Sequence, residues 1–127
     1  MERFLWICFA GALGTGVRYL VGLWAAQRFG LGFPYGTLIV NVVGCFLIAV
    51  VLQLALGMTS FPVNLRLALT TGFMGGLTTY SSFNYETTAL VQSGNARTAA
   101  LYFTITVLGC VAAGLFGTLL ARRIAGA

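Results

Sequence analysis

The stretch Gly72-Phe73-Met74-Gly75-Gly76-Leu77-Thr78-Thr79-Tyr80-Ser81-Ser82-Phe83-Asn84-Tyr85-Glu86 interrupts an otherwise apolar run that extends from residue 63 to residue 91. The midpoint of that run is residue 77. If the run crosses a bilayer, its glycines and hydroxyls therefore lie near mid-membrane. Gly75-Gly76 followed by Thr78-Thr79 is poor material for a lipid-facing helix. Backbone that leaves helical geometry at this depth must be buried in protein or line a cavity. Two readings stand side by side. In one the helix breaks, and its released carbonyls suit a hard monovalent cation while half-helix amide ends suit an anion. In the other the helix is unbroken, and Gly72-xxx-Gly76 simply lets a neighbour approach closely.

The flanking sequence fits a membrane. Hydrophobic residues make up 59% of the 127 and charged residues only 7%, with a mean hydropathy of +0.95. So few charged side chains cannot cover a water-soluble surface. Four apolar segments divide the chain, at residues 4–26, 34–56, 63–91 and 98–121. Each is near or above the ~20 residues that a spanning helix needs. The connectors are short, so the expectation is an all-α integral membrane protein whose residues 1–127 form a single four-helix transmembrane domain. Glu2-Arg3, an apolar stretch and Ala10-Gly11-Ala12 faintly resemble a signal peptide, but hydrophobicity continuing past Arg18 and Tyr19 favours a span.

The charges exclude several functions. Seven Arg, no Lys and two Glu give +5, but the Arg are scattered singly apart from Arg122-Arg123, which is no nucleic-acid stripe. With no His, and with Glu2 and Glu86 as the only carboxylates, little acid–base chemistry can be built, and an enzyme is not expected. Cys8, Cys45 and Cys110 lie 37 and 65 residues apart, unlike a zinc ligand set, and read as small buried apolar residues. Four spans put Arg3, Arg66, Arg122 and Arg123 on one side and Arg28 and Arg97 on the other. Such a weak bias permits insertion in both orientations, hence an antiparallel pair. Simple insertion with the termini inside is the alternative.

Other polar residues enter the spans. Glu86 is the only acid within one, displaced from its midpoint, and is either functional or snorkelling to the interface. Arg18, about fourteen residues into the first span, makes one vestibule electropositive or anchors to headgroups. Thr37, Asn41 and Cys45 recur every four residues, as do Tyr102, Thr106, Cys110, Gly114 and Thr118. Such stripes serve either close helix packing or a polar ion track. Asn41 is the more telling, because a buried amide demands partners. Tyr80 and Phe83 share a helix face. Their positive ring edges can favour an anion, or the rings can simply pack.

Gly14 with Arg18-Tyr19, Gly36-Thr37-Leu38-Ile39-Val40-Asn41 with Gly44, and Arg66 followed by the 72–83 block and Glu86 together resemble the small fluoride channels of the Fluc, or CrcB, family along nearly the whole chain. The resemblance implies a four-helix protein of the bacterial inner membrane. It assembles as an antiparallel, dual-topology homodimer with the third helix broken at mid-membrane. Two fluoride pores per dimer carry passive export that lowers cytoplasmic fluoride and confers fluoride resistance. The implied partners are fluoride, sodium, membrane lipid and a second copy of the chain. A structural sodium ion at the dimer interface would take backbone carbonyls of Gly75 and Thr78 from each chain. The family's paired pore phenylalanines fall on Tyr80 and Phe83, its pore asparagine on Asn41 and its vestibule arginine on Arg18. Ser81, Ser82, Thr37 and Glu86 match its polar pore positions, and Tyr102 and Thr106 the start of its fourth-helix track. Tyr stands at position 80 where Phe is usual, and Cys110 and Gly114 replace common hydroxyl residues.

Two rivals remain. A small dual-topology multidrug or cation exporter matches in length, but would need a carboxylate deep in the first span, where Arg18 stands instead. A non-conducting membrane assembly subunit, or a pore-forming lysis subunit, would not need the Thr-Thr-Tyr-Ser-Ser block.

Overall fold

A computed structural model describes residues 1–58 and 60–126. Helix α1 runs Glu2–Phe29, α2 Tyr35–Gly57 and α6 Ala96–Ala125. All three are long and apolar enough to cross a membrane. The third span is built from pieces: α3 (Val63–Leu67), a π-helical stretch (Ala68–Met74), α4 (Gly75–Leu77) and, after a break, α5 (Tyr80–Gln92). No strand occurs among the described residues. The chain is all-α, with three helices of spanning length and the residue 63–91 segment helical in pieces beside them, the class that the composition predicts.

Local chemistry sets the ends. Gly30, at φ 80°, closes α1, with its amide donating to the Ala26 carbonyl. That positive φ suits glycine. Pro34 precedes α2 rather than sitting inside its first turn, and its carbonyl accepts from Leu38 N. Gly126, in the left-handed region, closes α6.

The helix breaks at Thr78-Thr79, just past the Gly75-Gly76 pair. Thr78 has φ −84°, ψ 155° and Thr79 φ −152°, ψ 117°, both extended. Thr79 then caps α5, its side chain accepting from Ser82 N. The close-approach reading also holds, because α1 lies along the upstream half of this span. A Cβ at Gly72 would crowd Ile7 and Ala10, one at Gly76 would overlap the Gly11 carbonyl, and one at Gly14 would overlap the Phe73 carbonyl. Breaking and close packing are thus both present in one segment.

Helix α2 packs along α6, with Gly117 beneath the Phe46 carbonyl. The buried core is small: Val40, Met74 and Leu77, with Val21, Leu47, Ile48 and Phe73 against it. Large apolar side chains such as Phe9, Leu20, Trp24, Leu108, Leu115 and Phe116 are exposed, as lipid or a second copy requires. Arg3 Nε donates to Asn64 Oδ1 at 3.0 Å, which puts the starts of α1 and α3 at the same end of the bundle.

Candidate functional site

The break is held by one side chain from another helix. Asn41, buried on α2, donates from Nδ2 to the Thr79 carbonyl at 3.0 Å and accepts from the Thr79 amide at 2.7 Å. Its amide group imitates a strand partner for Thr79, the second of the two extended residues at the break. In an unbroken helix the Thr79 amide would donate to the Gly75 carbonyl. Diverted to Asn41, it leaves that carbonyl without its helical donor. The next carbonyl, Gly76 O, accepts from Arg18 Nε at 2.9 Å. A guanidinium at the C-terminal end of α4 also opposes the negative end of the helix dipole. Arg18 is therefore part of the break, a role beyond the vestibule charge expected from its position in the first span.

Hydroxyls cluster around the same turn. Thr78 Oγ1 donates back to the Met74 carbonyl at 2.8 Å. Thr79 Oγ1 donates to Ser82 Oγ at 3.1 Å and lies 3.2 Å from Ser81 Oγ. Thr79, which sequence reasoning did not single out as a site residue, thus organises Ser81, Ser82 and Asn41 through its backbone and side chain. Gly44 makes room for the neighbouring Thr78: a Cβ there would overlap Thr78 Cγ2.

A cavity of about 360 Å³ lies between α2, the break, α5 and α6, with Asn41, Thr79, Tyr80, Phe83, Thr106 and Cys110 in its wall. Thr106 Oγ1 is buried and has no hydrogen-bond partner among the described residues. A buried hydroxyl in this state is an open donor. Phe83 is only 5% exposed, whereas Tyr80 is 78% exposed. Their rings meet edge to face at 5.9 Å, but Tyr80 lies on the open side of the chain.

The remaining polar residues form a trio at a second cavity of about 240 Å³, whose wall includes Thr37 and Glu86. Glu86 Oε1 accepts from Thr37 Oγ1 at 2.8 Å, and Oε2 accepts from the Tyr102 hydroxyl at 2.7 Å. Three spans thereby converge on one carboxyl group. The Tyr102 ring is edge to face with Phe83 at 5.3 Å. Tyr102 and Phe83 thus stand between the two cavities, one bonded into the trio and the other lining the larger space. Seven of the expected pore residues (Thr37, Asn41, Ser82, Phe83, Glu86, Tyr102 and Thr106) are brought together in this way. Tyr80, at the rim of the larger cavity, and Ser81 are exposed, as is Gly75 before the break. Further along the fourth-helix stripe the role changes to packing: Gly114 approaches the Cys45 carbonyl, and Thr118 Oγ1 donates to the Gly114 carbonyl at 3.0 Å.

Residues 5–118 match the family model described as CrcB-like protein, Camphor Resistance (CrcB). The chain is 54% identical over 126 residues, 99% of its length and 100% of the relative's, to a protein of Anaeromyxobacter dehalogenans named fluoride-specific ion channel FluC. Proteins with the same name from Sorangium cellulosum and Geobacter metallireducens are 46% and 48% identical. They align over 98% and 93% of this chain and 98% and 95% of their own lengths.

Proposed function

This chain belongs to the CrcB family, and from that premise we propose that it conducts fluoride passively through two pathways in an antiparallel pair of copies. It is a fluoride channel of the bacterial inner membrane, crossing it several times, and not an enzyme. The observation that carries the finer reading is the buried Thr106 hydroxyl without a partner, in the wall of a cavity that Asn41 and the Phe83 ring also line. Fluoride is small and strongly hydrated, so a selective path must replace its water with donors and positive edges. Thr106 O–H, the second Nδ2–H of Asn41 and the edge of Phe83 offer these without a fixed cation that would trap the ion.

At the trio, Thr37 and Tyr102 already give their protons to Glu86. An entering anion competes with the carboxyl oxygens for those same two protons, which keeps its stay short. Gly75, Tyr80 and Ser81 are all exposed around the break at mid-span, where lipid leaves polar groups unsatisfied. A second copy packed against the break would cover them and bring another Tyr80 towards the path. The Gly75 carbonyl, freed of its helical donor, and that of Thr78 would then hold a sodium ion together with their equivalents in the other copy. Hard carbonyl oxygens suit such a cation. When bound, the ion neutralises converging carbonyl dipoles and ties the two copies together. Lipid covers the remaining apolar surface.

The exporter reading lacks its carboxylate, since the acid of α1 is Glu2 at its very start. Liposomes holding purified protein and loaded with fluoride, chloride or an organic cation separate the readings. Rapid release of fluoride alone is expected. Release of the organic cation against a proton gradient, or no release at all, would refute the channel.

A further inference from the structure

Two cysteines that read singly as packing residues stand together in the fold. Cys45 on α2 and Cys110 on α6 are free thiols, both half-buried, and the two packed helices bring both residues to one cavity. The helices are tight at this level: a Cβ built on Gly114, one turn beyond Cys110, would lie 3.8 Å from the Cys45 carbonyl oxygen. Cys45 and Cys110 both line the larger cavity, and buried Met74 is in the same wall. Three sulfur-bearing residues thus border the space that Asn41 and Phe83 also line.

We propose that Cys45 and Cys110 form a binding site for a soft, thiophilic metal ion of the class of Hg²⁺, Ag⁺ and Cu⁺, and that a bound ion closes the cavity to anions. Sulfur ligands select soft cations, and the thiolate is the ligating form. Each metal–sulfur bond replaces an S–H bond, so two protons leave to water and no electron is transferred. Met74 can add a third soft contact without losing a proton. Oxygen-seeking cations find no comparable set of charged ligands there, because no carboxylate is among the residues described in the cavity wall. The metal site stands apart from the fluoride reading; only the closing of the path rests on it.

The test uses full-length protein with the exposed third thiol removed (Cys8→Ala), reconstituted in liposomes, with mercuric chloride as the probe. Intact-mass measurement after desalting in excess monothiol should show one bridged mercury per chain. Fluoride efflux should fall to the level of empty liposomes and return with an excess of a dithiol. Cys45→Ala and Cys110→Ala, each in the same background, should retain no bridged mercury, and the efflux of each variant should be the same with and without mercury. Equal retention by either variant, or two mercury ions per chain on separate thiols, would overturn the site. A bridged ion with unchanged fluoride efflux would overturn the closing. A parent that moves no fluoride before mercury is added counts against the fluoride reading, while the mass still decides the metal site.

Discussion

Asn41 and Phe83 are the residues on which the site turns, for different reasons. Asn41 satisfies both backbone groups of Thr79, so Asn41→Leu leaves a donor and an acceptor unpaired in the interior. Each such group costs about 1–3 kcal/mol, so a loss of at least ~2 kcal/mol is expected. Asn41→Asp keeps the acceptor for the Thr79 amide but turns an oxygen towards the Thr79 carbonyl, and should also destabilise. Survival on size exclusion after heating in detergent reads both; variants as heat-resistant as the parent would mean the break is held by something else. Phe83→Leu keeps apolar bulk but removes the positive ring edge. It should severely slow fluoride efflux from liposomes while the protein still folds and elutes normally. Tyr80→Phe should keep fluoride-selective flux, because the ring and its edge remain. Parental flux in Phe83→Leu would reduce these rings to packing. That Asn41 needs partners is legible from a lone amide in an apolar helix. That its partner is Thr79 is not, since the pair is separated by 38 residues and no periodicity links two helices. Cys45 and Cys110 were hidden for the same reason.

Among elements, the third span carries both surprise and confirmation. Its break is legible because glycines and hydroxyl residues at mid-span are poor helix formers in lipid. The π-helical widening at Ala68–Met74 is not legible in the same way, since Thr70, Thr71 and Gly72 mark weak helical material without telling a widened turn from a break. Widening there goes with the approach of α1, whose backbone reaches Gly72 and Gly76. Gly76→Ala would drive a Cβ into the Gly11 carbonyl and the Thr15 amide, and overpacking of this kind costs about 1–3 kcal/mol. Gly16→Ala, with nothing within 4 Å of its new Cβ, should be neutral or stabilising. The comparison is a thermal-aggregation series in one detergent. Equal midpoints for the two variants would show that α1 yields easily and that its fit to the broken span is loose.

At the scale of the whole molecule, one chain leaves Gly75, Tyr80 and Ser81 open at mid-span, and the Arg distribution favours neither orientation strongly. An antiparallel pair answers both. A single new cysteine near one terminus, with Cys8, Cys45 and Cys110 replaced first, should be labelled from both faces of the membrane; labelling from one face only would exclude the pair. The four spans could be read from composition and length, but the partner of the exposed break could not, because lipid-facing and partner-facing apolar residues look alike in sequence. The central claim is that this protein is a passive path selective for fluoride, and it is tested most directly by the reversal potential in a planar bilayer with opposed fluoride and chloride gradients. The current should reverse at the fluoride equilibrium potential and stay there when the proton gradient is changed. Reversal at the chloride potential, or a potential that follows protons, would contradict it.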